Sequence, residues 1–209
     1  MSAASPITHY SSICGNLPSL QDKAITSILT SNCKSLSSIN LHSNLLSSLT
    51  VDRNIFDCLT FEKVKDINFS SNELHSVNDI RKPPNQLNFL NLTTNLLRLD
   101  LSANNLSSLE TITNTLSGGD SLPFLETLNL SYNNISSLGG LSVLTLGLVE
   151  VDLRGNNFNS VNDLKELRLQ KNLSKLILQD INSSNPMCLL TNSNSNTNKN
   201  NNTNNQQNN

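Results

Sequence analysis

Side chains able to do chemistry are few in this sequence and widely spread. The three histidines, His9, His42 and His75, have no HExxH spacing and no neighbouring Cys or Asp that would spell a zinc site or a nucleophile–base pair. Gly118-Gly119 and Gly139-Gly140 are doublets with no Lys-Ser or Lys-Thr behind them, so no phosphate-cradling loop is encoded. Cys14, Cys33, Cys58 and Cys188 lie far apart, form no CxxC pair, and read as reduced thiols of a cytosolic protein. Neither catalysis, nor a metal, nor a cofactor is expected. What remains is a regularly spaced series of polar side chains: His42, Asp66, Arg98, Asp100, Asn129, Tyr132, Glu150, Asp152 and Arg154. Arg and Tyr are the residue types that dominate protein interface hot spots. The regular spacing of this series needs a repeating scaffold.

That scaffold is written in the leucines. The chain has 209 residues, of which 38 are Leu and 36 Asn, while aromatics make up only 4%. Aliphatic side chains repeated many times must therefore fill the core. Leu36, Ile39, Leu41, Asn44 and Leu46 fit the template LxxLxLxxNxL. The same frame returns at Val64, Leu96, Leu125 and Leu148, with a partial sixth at Leu173. This is the leucine-rich repeat signature, with gaps of 28, 32, 29, 23 and 25 residues. Leu87 begins a competing frame that overlaps the one at Leu96. The residue three beyond the template, Leu49, Val77, Leu138 and Val161 elsewhere, decides between them. The Leu96 frame puts Leu109 there, and the Leu87 frame puts Asp100, a carboxylate, in a slot expected to be buried.

The predicted fold is an α/β solenoid, a horseshoe with parallel strands on the concave face and helices, 3₁₀ turns and loops on the convex face. Residues 1–16 form an N-terminal extension, 17–190 the repeat domain and 191–209 a disordered Asn-rich tail lacking apolar residues. Leu17, Leu20, Ile25, Ile28 and Leu29 supply an N-terminal cap. The longer gaps hold polar insertions at 52–58, 81–86 and 118–121. Asn44, Asn72, Asn104, Asn133 and Asn156 are expected to form an internal structural ladder. Residues alternating with the strand leucines face the concave side. They form three columns running from Ser38, Asn40 and His42 to Lys175, Ile177 and Gln179. The nine residues named above are the candidate docking positions. Reversing Arg154 to Glu is expected to remove partner binding and leave stability nearly unchanged.

A net charge of −2 argues against direct nucleic-acid binding, which needs a surplus of Lys and Arg. No apolar run reaches membrane-spanning length, and Met1–Tyr10 has no secretory pattern, so a cytoplasmic monomer is expected.

With the repeats in place, the chain resembles intracellular leucine-rich repeat proteins of the SDS22-like type. Within them it is most similar to the N-terminal domain of the leucine-rich repeat and coiled-coil domain-containing centrosomal protein family. The resemblance rests on NLHSN at 40–44, LSYNNISSLGGL at 130–141, VDLRGNNFNSV at 151–161, and NLSKLILQD at 172–180 leading into NPMC at 185–188. It spans roughly residues 17–188. It implies a non-catalytic scaffold that binds protein partners at centrosomes, basal bodies or the cytoskeleton. The alternatives are an SDS22-like regulatory subunit of a protein phosphatase and a ribonucleoprotein scaffold.

Overall fold

The computed structural model describes residues 5–56, 59–75, 86–109, 122–181 and 185–188. The insertions at 81–85 and 118–121, Cys58, Val77 and the tail from 191 lie outside them. The chain winds into an open parallel sheet of seven three-residue strands: β1 (His9–Ser11), β2 (Ser38–Asn40), β4 (Asp66–Asn68), β6 (Arg98–Asp100), β7 (Thr127–Asn129), β8 (Glu150–Asp152) and β9 (Lys175–Ile177), in that spatial order. The pairing is in strict register, with Ile39 beside Ile67, Leu99, Leu128, Val151 and Leu176 in turn. Residues 98–100 form the strand that follows Leu96, and residues 89–92 make a 3₁₀ turn on the convex side. This is a leucine-rich repeat solenoid.

Each of the five full units buries its five template side chains against its neighbours, because no single unit has enough apolar surface to fold alone. In the slot beyond the template Leu109 and Leu138 are buried, whereas Val161, expected there too, is 77% exposed. The ladder asparagines bolt the units together. Asn104 donates from Nδ2 to the carbonyls of Leu101 (3.0 Å) and Ser102 (3.1 Å) in its own unit and of Phe69 (3.0 Å) in the preceding one. Its Oδ1 accepts the Leu74 N–H of that preceding unit at 3.0 Å. Asn72, Asn133 and Asn156 repeat the arrangement. The residue before each rung, Ser43, Ser71, Ala103, Tyr132 or Gly155, is left-handed with φ between 51° and 61°. That conformation is unfavourable for the four that are not glycine. The rung bonds hold it in place.

The sheet begins earlier than expected from the sequence. Residues 9–11, assigned to the N-terminal extension, pair with β2, and Ser12 and Cys14 continue the ladder by donating to the carbonyls of Asn40 (2.9 Å) and His42 (3.3 Å). Cys14 is left-handed at φ 54°, like Ser43. Gly15 takes the place of a ladder asparagine, where a Cβ would come within 3.1 Å of Asn44 Oδ1. ITHYSSICGNL is thus a degenerate first unit. The helix α1 (Lys23–Asn32) closes its convex side, started by Asp22 accepting the Ala24 N–H at 2.9 Å and buried through Ile25 and Leu29.

The convex arcs differ from unit to unit. A two-stranded antiparallel ribbon joins β3 (Thr50–Asp52) to β5 (Gln86–Asn88), and α2 (Arg53–Phe56) follows β3. Four phenylalanines gather here. The Phe89 ring lies 5.2 Å from Phe61, 6.4 Å from Phe69 and 6.5 Å from Phe56. An all-aliphatic core is therefore not what the longest units build; their wider spacing leaves room that aromatic rings fill. Further along, α3 (Leu141–Leu144) has its N-terminus held by Glu166, which accepts from Ser142 N (2.9 Å) and Gly140 N (3.3 Å).

A 3₁₀ segment, Val161–Leu169, follows β8. Asp163 Oδ2 accepts the backbone N–H groups of Ser160 and Asn159, each at 2.9 Å. Those bonds favour the ionised carboxyl and hold it below its ordinary value of 3.8. A depressed folded-state value adds stability above the unfolded pKa that is lost as pH falls through the folded one. Asp163→Asn should therefore flatten the acid limb of a stability–pH curve below about pH 4. An unchanged limb would show that these bonds do not couple to folding.

Candidate functional site

The concave face follows from strand alternation: Ile39, Ile67, Leu99, Leu128 and Val151 point inward, so their neighbours face out. The middle outward column is Asn40, Asn68, Asp100, Asn129 and Asp152. Each side chain folds back on its own strand end. Asn40 Oδ1 accepts the His42 N–H (3.1 Å), Asn68 that of Ser70 (2.9 Å), Asp100 that of Ser102 (2.9 Å), Asn129 that of Ser131 (3.0 Å) and Asp152 that of Arg154 (3.1 Å). The hydroxyls of Ser70, Ser102 and Ser131 donate to the same oxygens at 2.6–2.8 Å. One bond crosses between units in this column, Asn129 Nδ2 to Asp100 Oδ2 at 3.3 Å. These residues terminate strands and fix the wall in one conformation.

On the entry side, Arg98 pairs with Asp66 and Lys175 with Glu150, the latter at 2.6 Å. The hydrogen bond and charge of Asp66 raise the Arg98 pKa. On the exit side, His42 Nδ1 lies 2.8 Å from Ser70 Oγ and Nε2 2.8 Å from Ser43 Oγ. Because Ser70 gives its proton to Asn68, its oxygen is free to accept from the ring at Nδ1. Both nitrogens are thus occupied, and neither bonds Asp66.

The C-terminal corner is the most tightly bonded part of the face. Arg154 grips Asp152 through Nε (3.0 Å) and Nη2 (2.6 Å) and reaches Asp180 through Nη1 (3.0 Å). Tyr132 OH donates to the same Asp180 oxygen at 2.9 Å. The hydrogen bond to Asp152 raises the Arg154 pKa against an opposing desolvation. Arg154 thus clamps a buried carboxylate, and its reversal is expected to cost stability as well as binding. Sequence reading missed Asp180 as its partner; the one available signal is its place just past the LILQ strand.

A groove of about 380 Å³ runs along the wall. The structure gathers Asp66, Arg98, Asp100, Asn129, Glu150 and Asp152 around it, together with Ser38 and Thr127, while His42, Tyr132 and Arg154 lie outside its lining. The described face carries three cations, Arg98, Arg154 and Lys175, against five carboxylates, Asp66, Asp100, Glu150, Asp152 and Asp180. Among the described residues no group of three or more His, Cys, Asp or Glu side chains is arranged to hold a metal ion, and no helix is long and apolar enough to cross a membrane. Cys14 is exposed and Cys33 buried, both as free thiols.

The fold is that of a leucine-rich repeat solenoid, with a polar wall on the concave side. No family model matches the chain, and no curated protein matches it. Among solved structures it is similar to leucine-rich repeat protein LIC12759 of Leptospira interrogans, at 22% identity and a TM-score of 0.46, over 79% of this chain and 41% of that one.

Proposed function

We propose that this chain is a non-catalytic, monomeric interaction module of the cytoplasm that seats a partner protein against its concave wall. The observation that carries the reading is the wall itself. Five of the seven strands in register present side chains already fixed by bonds to their own unit, so a partner meets a surface that need not be ordered on binding. The surplus of carboxylates over cations favours a partner segment bearing Lys, Arg or amide N–H donors. Asp66, Arg98, Asp100, Asn129, Glu150 and Asp152 meet it in the groove. Tyr132, its hydroxyl anchored and its ring exposed, offers an aromatic contact at one end.

By resemblance, the partner belongs to centrosomal, basal-body or other cytoskeletal assemblies. Tagged full-length protein should be compared with the double variant Arg98→Glu/Glu150→Lys by affinity purification and mass spectrometry. Arg98 is exposed and Glu150 half-buried, and both ion pairs are at the surface, so melting temperatures should agree within a few degrees, while binding of the main partner should fall at least about tenfold, ~1.4 kcal/mol. Tubulin-associated or basal-body proteins lost from the variant support the reading. A phosphatase catalytic subunit in their place gives the SDS22-like role, and spliceosomal proteins the ribonucleoprotein scaffold. Identical protein sets from both forms place the binding surface elsewhere.

A further inference from the structure

The middle column of the wall closes each strand end through a side-chain oxygen, and at β2, β4 and β7 a neutral asparagine does this. β6 uses Asp100 for the same bonds, with the N–H of Ser102 at 2.9 Å and its hydroxyl at 2.6 Å both donating to Oδ1. The strand end therefore has no need of the charge. At the other aspartate of the column, Asp152, the charge is matched by Arg154. Arg98 matches Asp66, Lys175 matches Glu150, and Arg154 also reaches Asp180. Among the described residues, Asp100 alone of the five carboxylates on this face has no cationic partner. Arg98, two residues before it on the same strand, is turned aside to Asp66.

Oδ2 of Asp100 is the open atom. It accepts a single bond, from Asn129 Nδ2 at 3.3 Å, where a carboxylate oxygen can take two. The residue is half-buried and lines the groove, so its charge is screened less than one on a free surface. Toward β2 lie two donors in the same groove. A backbone N–H can only donate, so the oxygens of Asn40 and Asn68 are fixed on His42 and Ser70, and their amide NH₂ groups make no bond among the described residues. Toward β7, Thr127 sits diagonal to Asp100 in the strand pairing, and its hydroxyl also makes none.

We infer that Asp100 receives the ammonium of a lysine from an extended partner segment laid across the strands, whose carbonyls accept from the amides of Asn68 and Asn40. This rests on the concave wall being the docking face and names the contact at its centre. Strands lie about 4.8 Å apart, so Asn40 to Asp100 is about 10 Å, a span that about three residues of extended chain cover. Lysine fits better than arginine because Oδ1 already holds two donors. One open oxygen suits a point charge, whereas a guanidinium fork takes both oxygens of a carboxylate. Thr127 gives the ammonium a second acceptor. A divalent cation would need several oxygens where one is open.

The test selects a phage library of random peptides on the immobilised full chain and, in parallel, on Asp100→Asn. Asparagine is what β2, β4 and β7 carry at this place, so the variant keeps an acceptor for Ser102 and should melt with the parent. Sequences taken by the parent should share a lysine, and those taken by the variant should not. The leading peptide, followed by fluorescence anisotropy, should lose at least about tenfold in affinity when its lysine becomes norleucine, and Asp100→Asn should impose that loss on the lysine form alone. A selection without a shared lysine, or a lysine peptide held equally by parent and Asp100→Asn, overturns the inference. Thr127→Trp, which fills the groove without a charge, separates this from the wall reading. A peptide lost from Thr127→Trp but indifferent to Asp100→Asn removes the lysine subsite and leaves the wall as the docking face, and a peptide kept by both variants removes both.

Discussion

Asn104→Ala is expected to destabilise the domain by roughly 3–5 kcal/mol, a large share of what a domain of this size possesses. The Leu74 N–H loses its acceptor in a buried site, which alone costs about 1–3 kcal/mol, and three donated bonds disappear at about 0.5–1.5 kcal/mol each. The carbonyls of Phe69 and Leu101 are less affected, since Asn72 and Asn133 also donate to them. Without the rung, left-handed Ala103 loses what holds it there. Asn105→Ala, one residue on and exposed, serves as the control and should shift stability by less than about 0.5 kcal/mol. Urea titration of both variants checks this. Equal midpoints would mean that the ladder is incidental to folding.

Arg154→Glu should cost about 3 kcal/mol, the lower end of what breaking a buried ion pair costs. The Asp152 side chain keeps only 10% of its surface in contact with solvent, and Arg154 supplies three of its hydrogen bonds. Reversal leaves that carboxylate unpaired and sets a second one beside it and Asp180. The Arg side chain is 29% exposed, so solvent tempers the effect and the upper end of the range is not reached. Asp152→Asn in the Arg154→Gln background should recover part of the loss, and the double-mutant cycle gives the coupling directly. A reversal variant that melts with the parent would return Arg154 to the role of a free docking residue.

These two outcomes mark how far the sequence could be read. Repeat periodicity located six strands because the same apolar spacing recurs, and the buried carboxylate in the alternative frame was enough to choose Leu96 over Leu87. Alternation also assigned the concave columns. The first unit stayed hidden because Tyr10, Ser12 and Gly15 stand where the template asks for two aliphatics and an asparagine, so only the backbone geometry reveals it. Asn185 was equally hidden. It donates to the Leu178 carbonyl (2.7 Å) from seven residues away, where every other rung sits three residues from its strand. Spacing cannot report which polar residue bonds to which, and so the bonds of Arg154 to Asp152 and Asp180 were not legible.

The rungs have a bearing on how the chain tolerates change. They fasten neighbouring coils at the exit from each strand, leaving the convex arcs to close over the core with whatever length and element they have: a ten-residue helix, an antiparallel ribbon, a single helical turn. Extra residues spliced into such an arc add only a slowly growing entropy of closure. A fluorescent reporter or epitope grafted on the outer bend would therefore leave the spacing of the inner wall as it is, and recognition there could be watched without being disturbed.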